Sequence, residues 1–147
     1  MDQNMGAMYP FSLAQKLQKI TENHPYYTDD NPWGRAVIPL EMISVLTQYT
    51  SGHTGFRTKG PAIGLFAAHA IKMIDGPLFV DHPYKLEREI IALSESRRTE
   101  SNWIMTRVID AETDKLCAEV ILNSATLKDS YANYEADAKA LDKDLSA

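Results

Sequence analysis

One stretch decides the fold: Pro39-Leu40-Glu41-Met42-Ile43-Ser44-Val45-Leu46, the start of an apolar segment that continues to about residue 50. Pro39 suits the first turn of a helix, where the N–H that proline lacks would have no partner anyway. Leu40, Ile43 and Val45 lie on more than one side of that helix, and a helix that is apolar on several faces is usually covered by other elements. The stretch therefore predicts a buried helix around which the rest of the chain is arranged.

An acidic, turn-forming cluster precedes this helix: Tyr27-Thr28-Asp29-Asp30-Asn31-Pro32-Trp33-Gly34. It belongs to residues 24–39, which hold three prolines and are predicted to form a loop. Upstream, Ser12 and Gln15 form a capping box that predicts a short helix over about residues 13–22. Two interpretations of the cluster stay open. It presents carboxylates to a buried ligand, or it is an Asx turn that leads into Pro32.

After the helix, the apolar residues recur with the spacing of strands. The sequence predicts a buried strand at 63–74, where periodicity alone also allows a helix. It predicts alternating strands at 84–93 and 103–109, a long strand at 116–127, a charged loop at 95–101 and a hairpin loop at 110–115. An amphipathic helix is predicted for the tail, about 128–147. A covered helix followed by long antiparallel strands is an α+β arrangement. We predict one domain over residues 1–147, with its core at about 12–127.

Composition excludes several classes of protein. The formal charge of −5 and a pI near 5.3 argue against a nucleic-acid partner. No run approaches the roughly 20 apolar residues that span a bilayer, and the N-terminus lacks the basic and apolar regions of a signal peptide. Cys117 is the single cysteine, which predicts a buried apolar role in a reducing compartment. We expect a cytoplasmic protein without a nucleic-acid or membrane partner.

The order of elements resembles the hotdog fold, in which a long central helix is wrapped by a curved antiparallel sheet. The run from Gly64 to Phe79, with its Pro77-Leu78 turn, and the three strands after it are similar to the last strands of MaoC-like hydratases and dehydratases. The resemblance covers about residues 12–127. It implies a lyase that adds or removes water at an enoyl or 3-hydroxyacyl thioester, with acyl-CoA or an acyl-carrier thioester as substrate.

The acidic cluster carries a sharper similarity to the family motif, which reads Asp, any residue, Asn, Pro, an aliphatic residue and His. Asp29 falls on the catalytic Asp and Asn31 on the Asn that shapes the site, whereas Gly34 stands where the motif has its histidine. A carboxylate and an imidazole together handle the two proton transfers, so the loss of one breaks the pair. His53, in a Gly-flanked loop after the helix, is the candidate replacement, in this chain or from a partner subunit.

Other candidate residues have a chemical and a structural interpretation. Glu41, in the first turn of the helix, is either a thioesterase-like base or a carboxylate that favours the helix dipole. Tyr27 and Trp33 line an acyl tunnel or belong to the core. The basic set Arg97, Arg98 and Lys85, with Arg88, either binds a phosphate of the substrate or forms a solvated strand edge. Arg35 is a further candidate for substrate binding.

Two classes of function stay open: an acyl-thioester enzyme, either a hydratase/dehydratase or a thioesterase, and a non-catalytic acyl-binding subunit that completes another chain's site. The four histidines lack metal-ligand spacing, so we expect no metal and no cofactor. The resemblance implies side-by-side joining of two sheets. We expect a homodimer or higher oligomer, or a heteromer with a related hotdog chain.

Overall fold

A four-stranded antiparallel sheet dominates the computed structural model, which describes residues 3–4, 10–11, 13–19, 24–49, 64–129 and 135–136. The order of the strands across the sheet is β3-β6-β5-β4. Their bounds are β3 Gly64–Met73, β4 Tyr84–Glu95, β5 Thr99–Asp110 and β6 Leu116–Leu127. The four predicted strands and the antiparallel arrangement are thereby confirmed.

The connection from β4 to β5 is shorter than predicted. It comprises only residues 96–98, not a loop over 95–101. Ser96 closes the turn, because its Oγ accepts hydrogen bonds from the N–H groups of Arg98 and Thr99, at 3.1 and 3.0 Å. A serine that bonds the backbone ahead of it replaces part of the strand ladder in a turn. This allows β5 to begin at Thr99.

The other elements are short. Two-residue strands β1, Gln3–Asn4, and β2, Pro10–Phe11, pair with each other, and helix α1 spans Leu13–Gln18. One turn of 3-10 helix, Pro25–Tyr27, begins the predicted loop, and helix α2 spans Leu40–Tyr49. The described part of α2 has ten residues, so a long central helix stays a prediction. The predicted C-terminal helix lies outside the described residues except for 128–129 and 135–136.

The core lies between α2 and one face of the sheet. Ile43 and Leu46 of the helix belong to a buried cluster with Val108 of β5 and with Ala118 and Val120 of β6. Val108 and Ala118 are directly opposite each other across the β5–β6 pairing, so their side chains lie on the same face of the sheet. The prediction that this helix packs against strands is therefore confirmed for the described residues. Leu40, however, is 59% exposed, so α2 is not covered on every side, and a helix wrapped by the sheet stays a prediction.

A half-buried arginine joins the helix to the sheet. Arg88 of β4 donates from Nε to the carbonyl oxygen of Thr47 at 2.9 Å and donates to the same oxygen from Nη2. Burial lowers the pKa of the Arg88 guanidinium below its ordinary value. The bond supplies a charged donor to a backbone carbonyl in the last described turn of α2.

The burial predicted for β3 is wrong for the isolated chain. Its residues are exposed throughout except for Ile71, which is half-buried, and Phe66 is 59% exposed. Among the described strands β3 pairs with β6 alone, so its other side is an edge of the described sheet. The apolar run around His69 predicts a core histidine, but His69 is exposed with the rest of the strand.

None of the helices in the described ranges combines the length and the apolar character needed to cross a membrane.

Candidate functional site

The loop that carries the motif-like cluster is held in shape by Asn31. Its Nδ2 donates to the carbonyl oxygens of Thr28 and Arg35, at 2.7 and 2.8 Å, and its Oδ1 accepts from the N–H of Trp33 at 2.9 Å. Gly34 donates its N–H to the carbonyl oxygen of Asn31 at 3.0 Å and has a φ of 61°, in the left-handed region that favours glycine. The Asx turn is therefore present, and the whole amide of Asn31 is used to build it.

The end of this loop is joined to the segment that follows β3. Val37 forms an isolated antiparallel bridge with Phe79. On either side, Ile38 donates its N–H to the carbonyl oxygen of Leu78 at 2.7 Å, and Val80 donates to that of Ala36 at 2.8 Å. The loop therefore lies against the β3–β4 connection, next to the first turn of α2.

An apolar cavity of about 410 Å³ lies where the loop, the start of α2 and the β3–β4 connection meet. Small-molecule sites are typically concave and mostly apolar, with volumes of about 300–1,000 Å³. The lining residues are almost all apolar or aromatic: Tyr26, Tyr27, Trp33, Val37, Ile38, Pro39, Leu40, Ile43, Met73, Gly76, Pro77 and Leu78. Tyr27 and Trp33 both line this cavity, and their binding of an acyl chain stays a prediction.

A second, more polar cavity of about 230 Å³ adjoins the first, because Trp33, Gly76 and Pro77 line both. Its polar lining includes Arg35 and His82, together with Asp75, Tyr84, Asp110, Thr113 and Cys117. The guanidinium of Arg35 lies 4.5 Å from the centre of the Phe79 ring, a cation–π distance. Arg35, a predicted substrate-binding residue, therefore lies in the wall of the cavity that adjoins the apolar one.

A histidine–aspartate pair lies in the wall of the polar cavity. His82 is only 8% exposed, and its Nε2 is 2.6 Å from Oδ2 of Asp110. The ring of Tyr84 meets the imidazole edge-on, with centroids 4.9 Å apart. The hydroxyl of Tyr84 in turn accepts a hydrogen bond from the N–H of Phe79 at 2.9 Å. The imidazole is thus held by a carboxylate and by an aromatic ring.

Asp110 is held in its ionised form by the hairpin that follows it. Its Oδ1 accepts hydrogen bonds from the N–H groups of Thr113 and Glu112, both at 2.8 Å. The bond from Thr113 and the contact with His82 lower the pKa of the carboxyl from 3.8 to about 2. The carboxylate beside His82 is therefore charged at neutral pH.

Cys117, also in this wall, is not an activated nucleophile. Burial raises the pKa of its thiol, and Sγ donates to the carbonyl oxygen of Lys115 at 3.5 Å. A thiol whose pKa is raised by burial stays protonated at neutral pH and is chemically inert. The buried, apolar role predicted for Cys117 agrees with its 6% exposure.

The predicted catalytic residues occupy different places. Asp29 and Asp30 are exposed and do not line either of the two cavities. Glu41 is exposed in the first turn of α2, where a carboxylate meets the positive end of the helix dipole. His53 lies outside the described residues. The roles assigned to these residues remain predictions.

The structure separates three of the candidate arginines. Arg35 lines the polar cavity, at the end of the sheet where β4 begins. Arg97 and Arg98 are exposed in the turn after β4 has ended. A twelve-residue strand is about 35 Å long, so one small ligand would not contact Arg35 and this turn together within one chain.

His82 precedes Pro83, a pattern that predicts a surface turn, yet its side chain is buried. Nothing in its immediate neighbourhood in the sequence predicts burial. Its partner Asp110 is 28 residues further on, and the two meet because Tyr84 pairs with Asp110 across β4 and β5. Only a correct strand register would have revealed the pair.

Comparison with known proteins gives a likeness of fold. No protein-family model matches the chain, and no curated protein matches it in sequence. Among solved structures, it is similar to the C-terminally truncated HadBC complex of Mycobacterium tuberculosis, a 3R-hydroxyacyl-ACP dehydratase. The TM-score is 0.60 with 11% sequence identity, over 79% of this chain and 84% of the other. This likeness, together with the antiparallel sheet and α2, shows that the chain has the hotdog fold.

Proposed function

We propose that this chain is a hotdog subunit of the MaoC-like hydratase/dehydratase type, which adds or removes water at an enoyl or 3-hydroxyacyl thioester. The observation that carries the proposal is the apolar cavity between the motif-like loop and α2. An acyl chain would occupy it, in contact with Tyr27, Trp33 and Ile43. The shared fold with a dehydratase complex supports the same reaction class.

In this proposal Asp29 is the base that activates water. It lies two residues after Tyr27 and four before Trp33, and both of these line the apolar cavity. Asn31 holds the loop that presents Asp29, because its amide bonds Thr28, Trp33 and Arg35. Asn31 therefore acts by positioning, and only the carboxylate takes a proton.

A matched pair of variants tests the role of Asp29. Hydration of crotonyl-CoA is measured with the wild type, Asp29→Asn and Asp30→Asn, since Asp30 is an adjacent exposed carboxylate in the same loop. Loss of a general base typically lowers the rate by about 10²–10⁴-fold, and we expect this for Asp29→Asn, with Asp30→Asn close to the wild type. Turnover that is indifferent to Asp29 would remove the residue from the mechanism. Absence of turnover by the wild type would remove the hydratase.

A thioesterase would release free coenzyme A in the same assay. The candidate base is then Glu41, whose carboxylate is exposed at the start of α2. Release of thiol that is lost in Glu41→Gln would support hydrolysis in place of hydration.

A second candidate function is a non-catalytic subunit that completes another chain's site. The observation that favours it is the exposed edge strand β3, with Leu65 and Phe66 among its exposed residues. Edge strands that expose apolar side chains are suited to pairing with another chain. HadBC, named as a complex, provides a precedent for assembly of this fold. Binding of an acyl thioester without turnover, in a chain that self-associates or binds a related hotdog chain, would support this candidate.

A further inference from the structure

The proposed reaction requires a second group that exchanges protons with the substrate, in addition to Asp29. In the motif a histidine provides this group, but this chain has Gly34 at that position. Two of the other histidines can be compared in the structure. His24 is exposed and its Nδ1 accepts from the N–H of Tyr26 at 3.2 Å, and His69 is exposed on β3. His82 alone among the described histidines is buried and lines a cavity.

The geometry points to His82 as the second acid–base group of the site, with Asp110 as the residue that positions it. This inference rests on the proposed function and names the imidazole that the motif lacks. His82 lies in the wall of the polar cavity, which shares Trp33 with the apolar cavity. An acyl chain in the apolar cavity would place its thioester end at this shared wall, within reach of the imidazole.

Asp110 fixes which nitrogen of His82 reacts. Its Oδ2 is 2.6 Å from Nε2, so in the neutral ring this nitrogen carries the proton that faces the carboxylate. Nδ1 has no hydrogen-bond partner within the described part of the chain and is available to exchange a proton. A carboxylate that orients an imidazole in this way is the arrangement used in acid–base catalysis by histidine.

The step balances with two groups. During hydration, the Asp29 carboxylate takes a proton from water as the water oxygen bonds to C3 of the enoyl thioester. The π electrons of the C2–C3 bond move to C2, which takes a proton from Nδ1 of protonated His82. Water has then been added, Asp29 is protonated and His82 is neutral. Exchange with solvent returns both groups to their starting forms, and dehydration is the same sequence reversed.

The test is the pH profile of crotonyl-CoA hydration by the full chain, compared among the wild type, His82→Gln, Asp110→Asn and Glu112→Gln. Glu112 is the matched control, because it is exposed on the same hairpin and contacts Asp110 only through its backbone N–H. We expect His82→Gln to lower kcat by about 10²-fold or more, with KM within about threefold. Its rate should also lose the decline at alkaline pH, since protonated His82 is the donor. Asp110→Asn should lower kcat less, and Glu112→Gln should match the wild type.

The outcomes separate this inference from the proposed function. If Asp29→Asn is impaired while a folded His82→Gln keeps the wild-type kcat and pH profile, the inference is overturned and the hydratase stands. If the wild type has no activity, both fall. If circular dichroism shows that His82→Gln does not fold, an NMR titration of the wild-type imidazole decides. Agreement of its midpoint with the alkaline limb of kcat/KM supports the inference, and disagreement overturns it.

Discussion

Replacement of Ile43 by alanine tests the central packing relation of this fold. Ile43 is 1% exposed and packs in the cluster that joins α2 to Val108 and Val120 of the sheet. The substitution removes three carbon atoms, and about 0.8 kcal/mol per buried methylene gives a transfer cost of roughly 2.4 kcal/mol. The residual cavity adds to this, and isoleucine-to-alanine changes in cores cost about 2–5 kcal/mol. We expect a loss of about 3 kcal/mol in the free energy of unfolding.

The assay is urea unfolding followed by far-UV circular dichroism at one fixed chain concentration, because association shifts apparent stability. With a slope of about 2 kcal/mol per molar urea, the midpoint should fall by about 1.5 M. Leu40→Ala is the matched control. Leu40 lies on the same helix and lines the same cavity as Ile43 but is 59% exposed. Its replacement should cost less than about 1 kcal/mol.

The comparison refutes the packing if the two variants lose similar amounts of stability. A loss below about 1 kcal/mol for Ile43→Ala would mean that α2 does not bury this side chain against the sheet, given the usual range for core isoleucines. The packing of α2 against the sheet would then be wrong. The apolar cavity would be wrong as well, because Ile43 also lines it.

Three further predictions follow from local features. Hydrogen bonds lower the pKa of Asp110 from 3.8 to about 2. The ionised carboxylate therefore stabilises the fold above about pH 4, and this stabilisation is lost as the pH falls towards 2. The stability of Asp110→Asn, measured by acid unfolding, should not change with pH in this interval as that of the wild type does. Gly34→Ala should cost about 1 kcal/mol in urea unfolding because of its positive φ, whereas Gly64→Ala, with open space around its Cβ position and an ordinary φ, should cost nothing measurable. If chains associate through β3, Phe66→Asp should weaken self-association measured by sedimentation. Leu93 is exposed on β4, the strand at the opposite end of the sheet, so Leu93→Asp should leave self-association unchanged. Equal effects of the two variants would contradict association through β3.

Local patterns in the sequence predicted the elements well because their causes are local. In β5 and β6 buried residues alternate with less buried ones, and the first half of β4 alternates half-buried and exposed residues, as the two faces of a strand require. Pro39 marks the start of α2 within one residue. The error at 95–101 also has a local cause, since a cluster of charged residues is typical of a loop. Ser96 closes a three-residue turn that includes Arg97 and Arg98, whereas Glu95 and Glu100 lie on exposed strand ends.

Burial and site geometry depend on contacts between segments that are distant in the sequence. Local sequence patterns therefore predict the burial of a strand or a side chain less reliably than they predict the element itself. β3 has the apolar composition of a covered strand, yet among the described residues it is an exposed edge of the sheet. Composition does not distinguish a strand that is covered by its own chain from one that is covered by a partner. His82 shows the opposite error, because the hairpin that buries it is far along the chain.

In the motif-like loop, most residues at motif positions have a structural explanation that does not require catalysis. Asn31 makes three hydrogen bonds that close the loop, and Gly34 adopts the left-handed conformation that ends the turn. Turn geometry alone therefore accounts for Asn31, Pro32 and Gly34, whether or not any reaction occurs. A histidine at position 34 would have to adopt a φ of 61°, which L-residues other than glycine reach at a cost of about 1–2 kcal/mol. The proposed hydration thus depends on Asp29 and on an imidazole from elsewhere in the chain. Among the described residues, His82 is a buried imidazole that has a carboxylate partner and lines a cavity.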